Sequence, residues 1–251
     1  MIALTDKRAL VVGVADEQSI AWGVVEALHH AGAMLAVTYR DEEVEPRVRS
    51  LAERVDAHII MPLDVTREED EDQLFARIVD VWGSLDILVL SIGFAPDSNS
   101  RVGVSNGNLY GLPQAMAVRS LIRLARRAEP LMTRGGACLA MNFSGAEQVA
   151  TNCNLVRLLK AALEATTREL ASELGPRNIR VNALVPRPAA THAVAGTSEF
   201  GAPRRKVKCS PLRRPLTTQD VGAAAAFLFS DGARNISGYV LHVDAGWHIV
   251  D

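Results

Sequence analysis

Residues 8–32 read RALVVGVADEQSIAWGVVEALHHAG, and this stretch decides the fold. Arg8 to Gly13 is a short valine-rich run that stops on glycine, the pattern of a buried strand entering a tight turn. Ser19 stands as a helix cap before an apolar-periodic stretch that reaches Ala31, and Gly32 is its stop. A strand, a turn and a helix in this order present the free amides of the helix N-terminus to a phosphate, with Gly13 and Gly23 placed to permit close approach. The glycine spacing departs from GxGxxG, so the unit does not identify a nucleotide site by motif alone.

Working outward, strands and helices alternate along the chain. MLAVTY (34–39) is a second strand, and a charged helix from about Glu43 to Ala57 leads to a third, HIIMPLDV (58–65). Glu68 to Trp82 is helical, and DILVLS (86–91) is a fourth strand running into Ser91-Ile92-Gly93. The polar, glycine-rich segment 97–111 is expected to be an irregular loop. A helix from about Gln114 to Met132 precedes the strand CLAMN (138–142), and a further helix ends at about Leu174, before Gly175-Pro176. Arg180 to Val185 is the sixth strand, Thr218 to Ser230 the last helix, and Tyr239 to Val243 the seventh strand. This alternation predicts right-handed crossovers in an α/β fold with a parallel sheet, with ligands at the carboxyl ends of the strands.

The chain of 251 residues shows no repeat, low-complexity tract or linker, so a single domain over residues 1–251 is expected. A net charge of −2 gives no global pull toward nucleic acid or membrane, and any charged partner must meet a local patch. The three cysteines, Cys138, Cys153 and Cys209, are odd in number and form no CxxC pair. They fit free thiols in a reducing compartment, and no metal site is expected. The N-terminus has no charged leader and no apolar run approaches membrane-spanning length, so a cytoplasmic protein is expected. The sequons at Asn142 and Asn235 then read as incidental.

Two residues beyond the first unit bear on a nucleotide. Arg40 follows the second strand where an adenosine ribose would lie and could meet a 2′-phosphate, while Asp41, Glu42 and Glu43 could neutralise it locally. NADPH is therefore only slightly favoured over NADH. Asp64, at the end of the third strand, could accept a bond from adenine or could simply form a turn. Farther on, residues 141–164, MNFSGAEQVATNCNLVRLLKAALE, set Phe143, Cys153 and Lys160 around one point; on a helix, Cys153 and Lys160 lie two turns apart on nearly one face.

GVADEQSIAWG, SIGFAP, KAALE, ELGPRNIRVNAL, PLRRPLTTQDVG and AAFLFSD…ISGYVLHVDAGW together resemble the enoyl-acyl-carrier-protein reductases of the short-chain dehydrogenase/reductase superfamily, over nearly the whole chain. The resemblance implies a Rossmann-type doubly wound, seven-stranded parallel sheet in a three-layer sandwich, assembled as a homotetramer. It implies NAD(P)H-dependent reduction of an acyl chain held as a thioester on a carrier protein. Carried over by position, the cofactor contacts are Gly13, Ala15, Ser19, Ile20, Arg40, Asp64, Val65, Ser91, Ile92, Gly93, Lys160, Pro188 and Thr191, with Lys160 holding the nicotinamide ribose. The substrate-binding loop falls at about 188–214, where Phe200 and Val207 would line the entrance. The bases Arg204, Arg205, Lys206, Lys208, Arg213 and Arg214 lie where the family meets its acidic carrier protein, or form a solvated loop.

Three departures from the family pattern fall around one pocket. Cys153 stands where the family has its catalytic tyrosine, seven positions before the lysine, Phe143 replaces a second tyrosine, and Arg187 replaces a glycine before proline. A thiol is a weak donor that ends closer to the backbone than a tyrosine hydroxyl, so it does not copy the hydrogen bond. Cys153 could be a nucleophile activated by Lys160 or inert packing, and Arg187 could bind an oxyanion or lie on its loop surface. The expectation is an atypical NAD(P)H-dependent reductase of an enoyl or keto, acyl or polyketide-like substrate; the alternative is a nucleotide-binding homologue without redox turnover, such as a cyclase, a dehydratase or a scaffold partner.

Overall fold

The structure, a computed structural model, describes residues 2–92, 115–142, 154–186 and 210–250. Its middle layer is a seven-stranded sheet of β1 (Arg8–Val12), β2 (Met34–Tyr39), β3 (Ile59–Pro62), β4 (Ile87–Leu90), β5 (Gly136–Met141), β6 (Ile179–Pro186) and β7 (Val240–Val243). The spatial order is β3-β2-β1-β4-β5-β6-β7 and every pairing is parallel. The order reverses between β1 and β4, which opens a crevice above that point of the sheet.

Period-two alternation explains why the strands read as unbroken apolar runs. Ala9 and Val11 of β1 face a core shared with α1 (Ile20–His30), α2 (Glu45–Glu53) and α6 (Thr218–Phe229). Leu10 and Val12 face the opposite core, shared with α3 (Glu68–Trp82), α4 (Ala115–Ala128) and α5 (Asn154–Leu174). Both faces are therefore covered by helices, as the doubly wound reading requires.

The caps follow the sequence closely. Ser19 is extended, and its hydroxyl accepts from the Trp22 amide at 3.2 Å, while Gly32 ends the first unit at φ +87°. At α6, Thr217 Oγ1 accepts from the Asp220 amide at 3.1 Å, and Asp220 Oδ2 accepts in return from the Thr217 amide at 2.9 Å. Some boundaries move for local reasons. The charged second helix stops at Glu53, short of Ala57, because Asp56 takes a left-handed φ of +49°. The fourth helix closes at Ala128, before Met132, as Pro130 enters a 3-10 turn without an amide to donate. The fifth strand starts two residues early because the Ala137 amide reaches the Asp86 carbonyl at 2.9 Å.

The first turn of α3, Glu68 to Glu71, is acidic throughout, and Glu71 is wholly buried. Arg123 of α4 reaches its carboxylate at 2.7 Å and Arg127 at 3.5 Å, so the helices are joined by a buried ion pair. Burial raises the Glu71 carboxyl above its ordinary range, against the opposing pull of Arg123.

Gly23 does a different job from the one its place in the first unit predicts. A Cβ there would stand 2.3 Å from the Thr218 carbonyl oxygen, and one on Gly222 would stand 2.1 Å from the Gly23 carbonyl oxygen. The two glycines bring α1 and α6 together, backbone against backbone, and Gly23 is spent on helix packing rather than on a phosphate. Gly23→Ala and Gly222→Ala are each expected to destabilise the protein by about 1–3 kcal/mol, because the obstructing atoms are backbone and cannot rotate away. Urea titration of all three variants checks this, and Gly175→Ala, with nothing within 4 Å of the new methyl, should be neutral or slightly stabilising.

Candidate functional site

Because every strand is parallel, the carboxyl ends of β1 to β6 share one edge, and the helices that follow them start there. The β1–α1 turn supplies Gly13, Ala15, Ser19 and Ile20. Gly13 takes φ +96°, and a Cβ on it would meet the Ser91 carbonyl oxygen at 2.3 Å, so glycine is what lets this turn close against the end of β4. The turn is held from the other side by β2, where Thr38 accepts from the Val14 amide through its carbonyl at 3.0 Å. A helix leaves its first amides without an acceptor of its own, and in α1 these are the amides of Ile20 and Ala21, the donors the turn offers to an anion. These residues fit the pyrophosphate of a dinucleotide.

The neighbouring strand ends are occupied differently from one another. Arg40 follows β2 with a side chain 74% exposed, and its Nε donates to Asp41 Oδ2 at 2.6 Å. That contact holds the Asp41 carboxyl below its ordinary range. Arg40 is thus paired with Asp41, one of the three acids that follow it. Asp64 follows β3 and closes a turn, with Oδ1 accepting from the Thr66 amide at 2.8 Å, while Val65 is packed into the core. Ser91 continues from β4, its amide donating to the Val12 carbonyl at 2.9 Å, and Ile92 is half-buried.

Lys160 is half-buried in the second turn of α5. Its position is fixed through a residue that the sequence presented only as part of a sequon. Asn142, just past β5, is 2% exposed. Its amide donates to the Leu184 carbonyl at 2.9 Å, and its Nδ2 donates to Glu164 Oε1 at 3.0 Å and to the Lys160 carbonyl at 3.3 Å. One side chain therefore ties the end of β5 to the helix turn that carries Lys160. The signal available in the sequence was a lone amide ending an otherwise apolar strand, CLAMN. Gly93, Phe143, Cys153, Arg187, Pro188 and Thr191 lie outside the described residues, as do Phe200, Arg204, Arg205, Lys206, Val207 and Lys208. The helix carrying Lys160 is described from Asn154, so the expected shared face with Cys153 also lies outside them. Arg213 and Arg214 are described and exposed.

A family model described as enoyl-(acyl carrier protein) reductase matches residues 13–248. The chain belongs to this family. Among its relatives, the NADH-dependent enoyl-acyl-carrier-protein reductase FabI of Aquifex aeolicus strain VF5 is 41% identical over 251 residues, covering 98% of this chain and 93% of that protein. The crystal structure of the Bacillus cereus enoyl-acyl carrier protein reductase with NADP+ and indole naphthyridinone superposes with a TM-score of 0.93 at 38% identity, covering 100% of both chains. The Anaplasma phagocytophilum enzyme in complex with NAD gives a TM-score of 0.91 at 39% identity, covering 100% of this chain and 97% of that one. The seven-stranded Rossmann-type sheet is thus the family fold, and solved relatives hold either nicotinamide dinucleotide. Among the described residues, no helix is long and apolar enough to cross a membrane.

Asn142 is thus a positioning element for the helix turn that carries Lys160. Asn142→Leu keeps the branched shape, with methyl groups larger than the amide they replace, and leaves the Lys160 carbonyl and the Glu164 carboxylate without that amide. It is expected to destabilise the protein by about 1–3 kcal/mol in chemical denaturation.

Proposed function

We propose that the protein is an NAD(P)H-dependent enoyl reductase that saturates the carbon–carbon double bond of an acyl chain linked as a thioester to a carrier protein. The observation that carries this reading is the 41% identity to a reductase of that activity across 98% of the chain. The retained β1–α1 phosphate turn supports it. We further propose that residues 1–251 form one domain, that a loop at about 188–214 covers the substrate, and that Arg204, Arg205, Lys206 and Lys208 meet the acidic carrier protein. The working state would be a cytoplasmic homotetramer.

When bound, the nicotinamide cofactor supplies a hydride to the β-carbon of the enoyl thioester. In this reading Lys160 holds the nicotinamide ribose and fixes the angle from which the substrate is approached. The thioester oxygen gains charge as the double bond shifts, and Arg187 or an ordered water supports it by hydrogen bonding. The α-carbon then takes a proton from water. Cys153 and Phe143, standing where the family has tyrosines, shape the pocket and leave it two hydroxyls fewer, of which the one at Cys153 would have met the oxyanion. The reaction class stays that of the family and its rate falls. A second reading, a nucleotide-binding homologue without redox turnover, rests on the same two absent hydroxyls.

Stopped-flow nicotinamide oxidation with a carrier-linked enoyl thioester separates the readings. The wild type is expected to turn over slowly, and Cys153→Tyr to raise the rate by roughly a hundredfold, the usual value of one oxyanion donor. Oxidation of neither cofactor by either protein would sink the redox reading, and product formed at constant nicotinamide absorbance would establish the second. Cofactor choice has its own test. Asp41→Ala frees Arg40 for a 2′-phosphate, and the ratio of NADPH to NADH affinity should rise about two- to fivefold, the worth of one exposed ion pair; an unchanged ratio would remove Arg40 from cofactor selection.

A further inference from the structure

Away from the crevice, the end of β7 and the turn after it gather three metal-ligating side chains. His242, Asp244 and His248 each place one ligand atom within 4.8 Å of the others. The path of the chain explains the cluster. His242 belongs to β7, Asp244 follows that strand, and Gly246 at φ +83° turns the backbone into a short 3-10 turn, Trp247–Ile249. This brings His248 back over the strand end. Asp244 is 3% exposed and organises the turn, Oδ1 accepting from the Gly246 amide at 2.9 Å and Oδ2 from the His248 amide at 2.7 Å. His248 Nδ1 stands 2.8 Å from the same Oδ2, and its ring stacks on His242 with centroids 4.1 Å apart. The His248 side chain is 34% exposed, so an ion in solution can reach the cluster.

We propose that His242, Asp244 and His248 bind one divalent transition cation of the zinc type. Two imidazole nitrogens and one carboxylate suit zinc, cobalt or nickel, whereas magnesium and calcium take oxygen donors. In a tetrahedral site with bonds of about 2.1 Å the donor atoms stand about 3.4 Å apart, so side-chain rotation closing the gaps, all within 4.8 Å, by at most about 1.4 Å completes three positions. Water takes the fourth. The ion replaces the hydrogen between His248 Nδ1 and Asp244 Oδ2, with the imidazole proton carried on Nε2. The two backbone amides that grip Asp244 orient the carboxylate from behind, as outer partners of metal ligands do. The bound ion ties the C-terminal turn to β7 at the end of the sheet. The expectation of no metal rested on the lack of a cysteine pair; the H-x-D-x-x-x-H spacing becomes a cluster only through the turn at Gly246.

Chelator-treated full-length protein titrated with Co2+, followed by visible absorption, and with Zn2+, followed by calorimetry, tests the site. The wild type should bind one ion per chain, with cobalt d–d bands and no thiolate charge-transfer band. His248→Ala should weaken binding by more than the roughly ten- to hundredfold lost with an outer partner, and His242→Gln, measured separately, should do the same. His29→Gln, which alters a separate pair of adjacent histidines, His29 and His30 at the end of α1, should leave affinity unchanged. Absence of saturable binding, equal affinity in wild type and His248→Ala, or a thiolate band pointing to the cysteines would overturn the proposal.

Discussion

The structure depends on one constraint, that strands running parallel must each be returned across a face of the sheet. Meeting it buries both faces of the sheet, which is why Ala9 to Val12 have almost no exposure and why the two cores divide strictly by strand alternation. The same constraint collects every strand end and the starts of the following helices along one edge. Backbone carbonyls and first-turn amides then face a common space, and the reversal between β1 and β4 opens it. Chemistry is placed at this edge by topology before any side chain is chosen.

Side chains refine what the topology offers. Gly13 sets how near the β1–α1 turn comes to β4, and Asn142 sets how the turn bearing Lys160 sits against β5. The first works by having no side chain, the second by having one polar group that satisfies two partners in a buried place. Arg40, by contrast, is committed to Asp41 at the surface, so the charge nearest the expected ribose is already partly answered.

Local patterns were readable in the sequence to the extent that their causes were local. The cap at Ser19, the bounds of the third helix at Glu68 and Trp82, and the buried run 87–90 all follow from residues within a turn or two. What escaped depended on a partner far along the chain. Nothing near Gly23 announces Gly222, nothing in the acidic run 68–71 announces Arg123, and an amide at the end of CLAMN does not say whether it faces a sugar or a helix. At the site, the expectations at Phe143, Cys153 and Arg187 rest on a family pattern alone, since no spacing rule marks a missing hydroxyl.

The contact between Gly23 and Gly222 also bears on how the chain is made. Helix α1 completes its packing against a helix about two hundred residues later, so a ribosome working at about 5–20 residues per second leaves that face unmatched for roughly 10–40 s. During that interval Trp22, Val24, Val25 and Leu28, all fully buried in the finished protein, lack part of their cover. The first unit to be recognised in the sequence is among the last to be sealed, which makes the nascent N-terminal half a client for chaperones and makes truncations before α6 prone to aggregate.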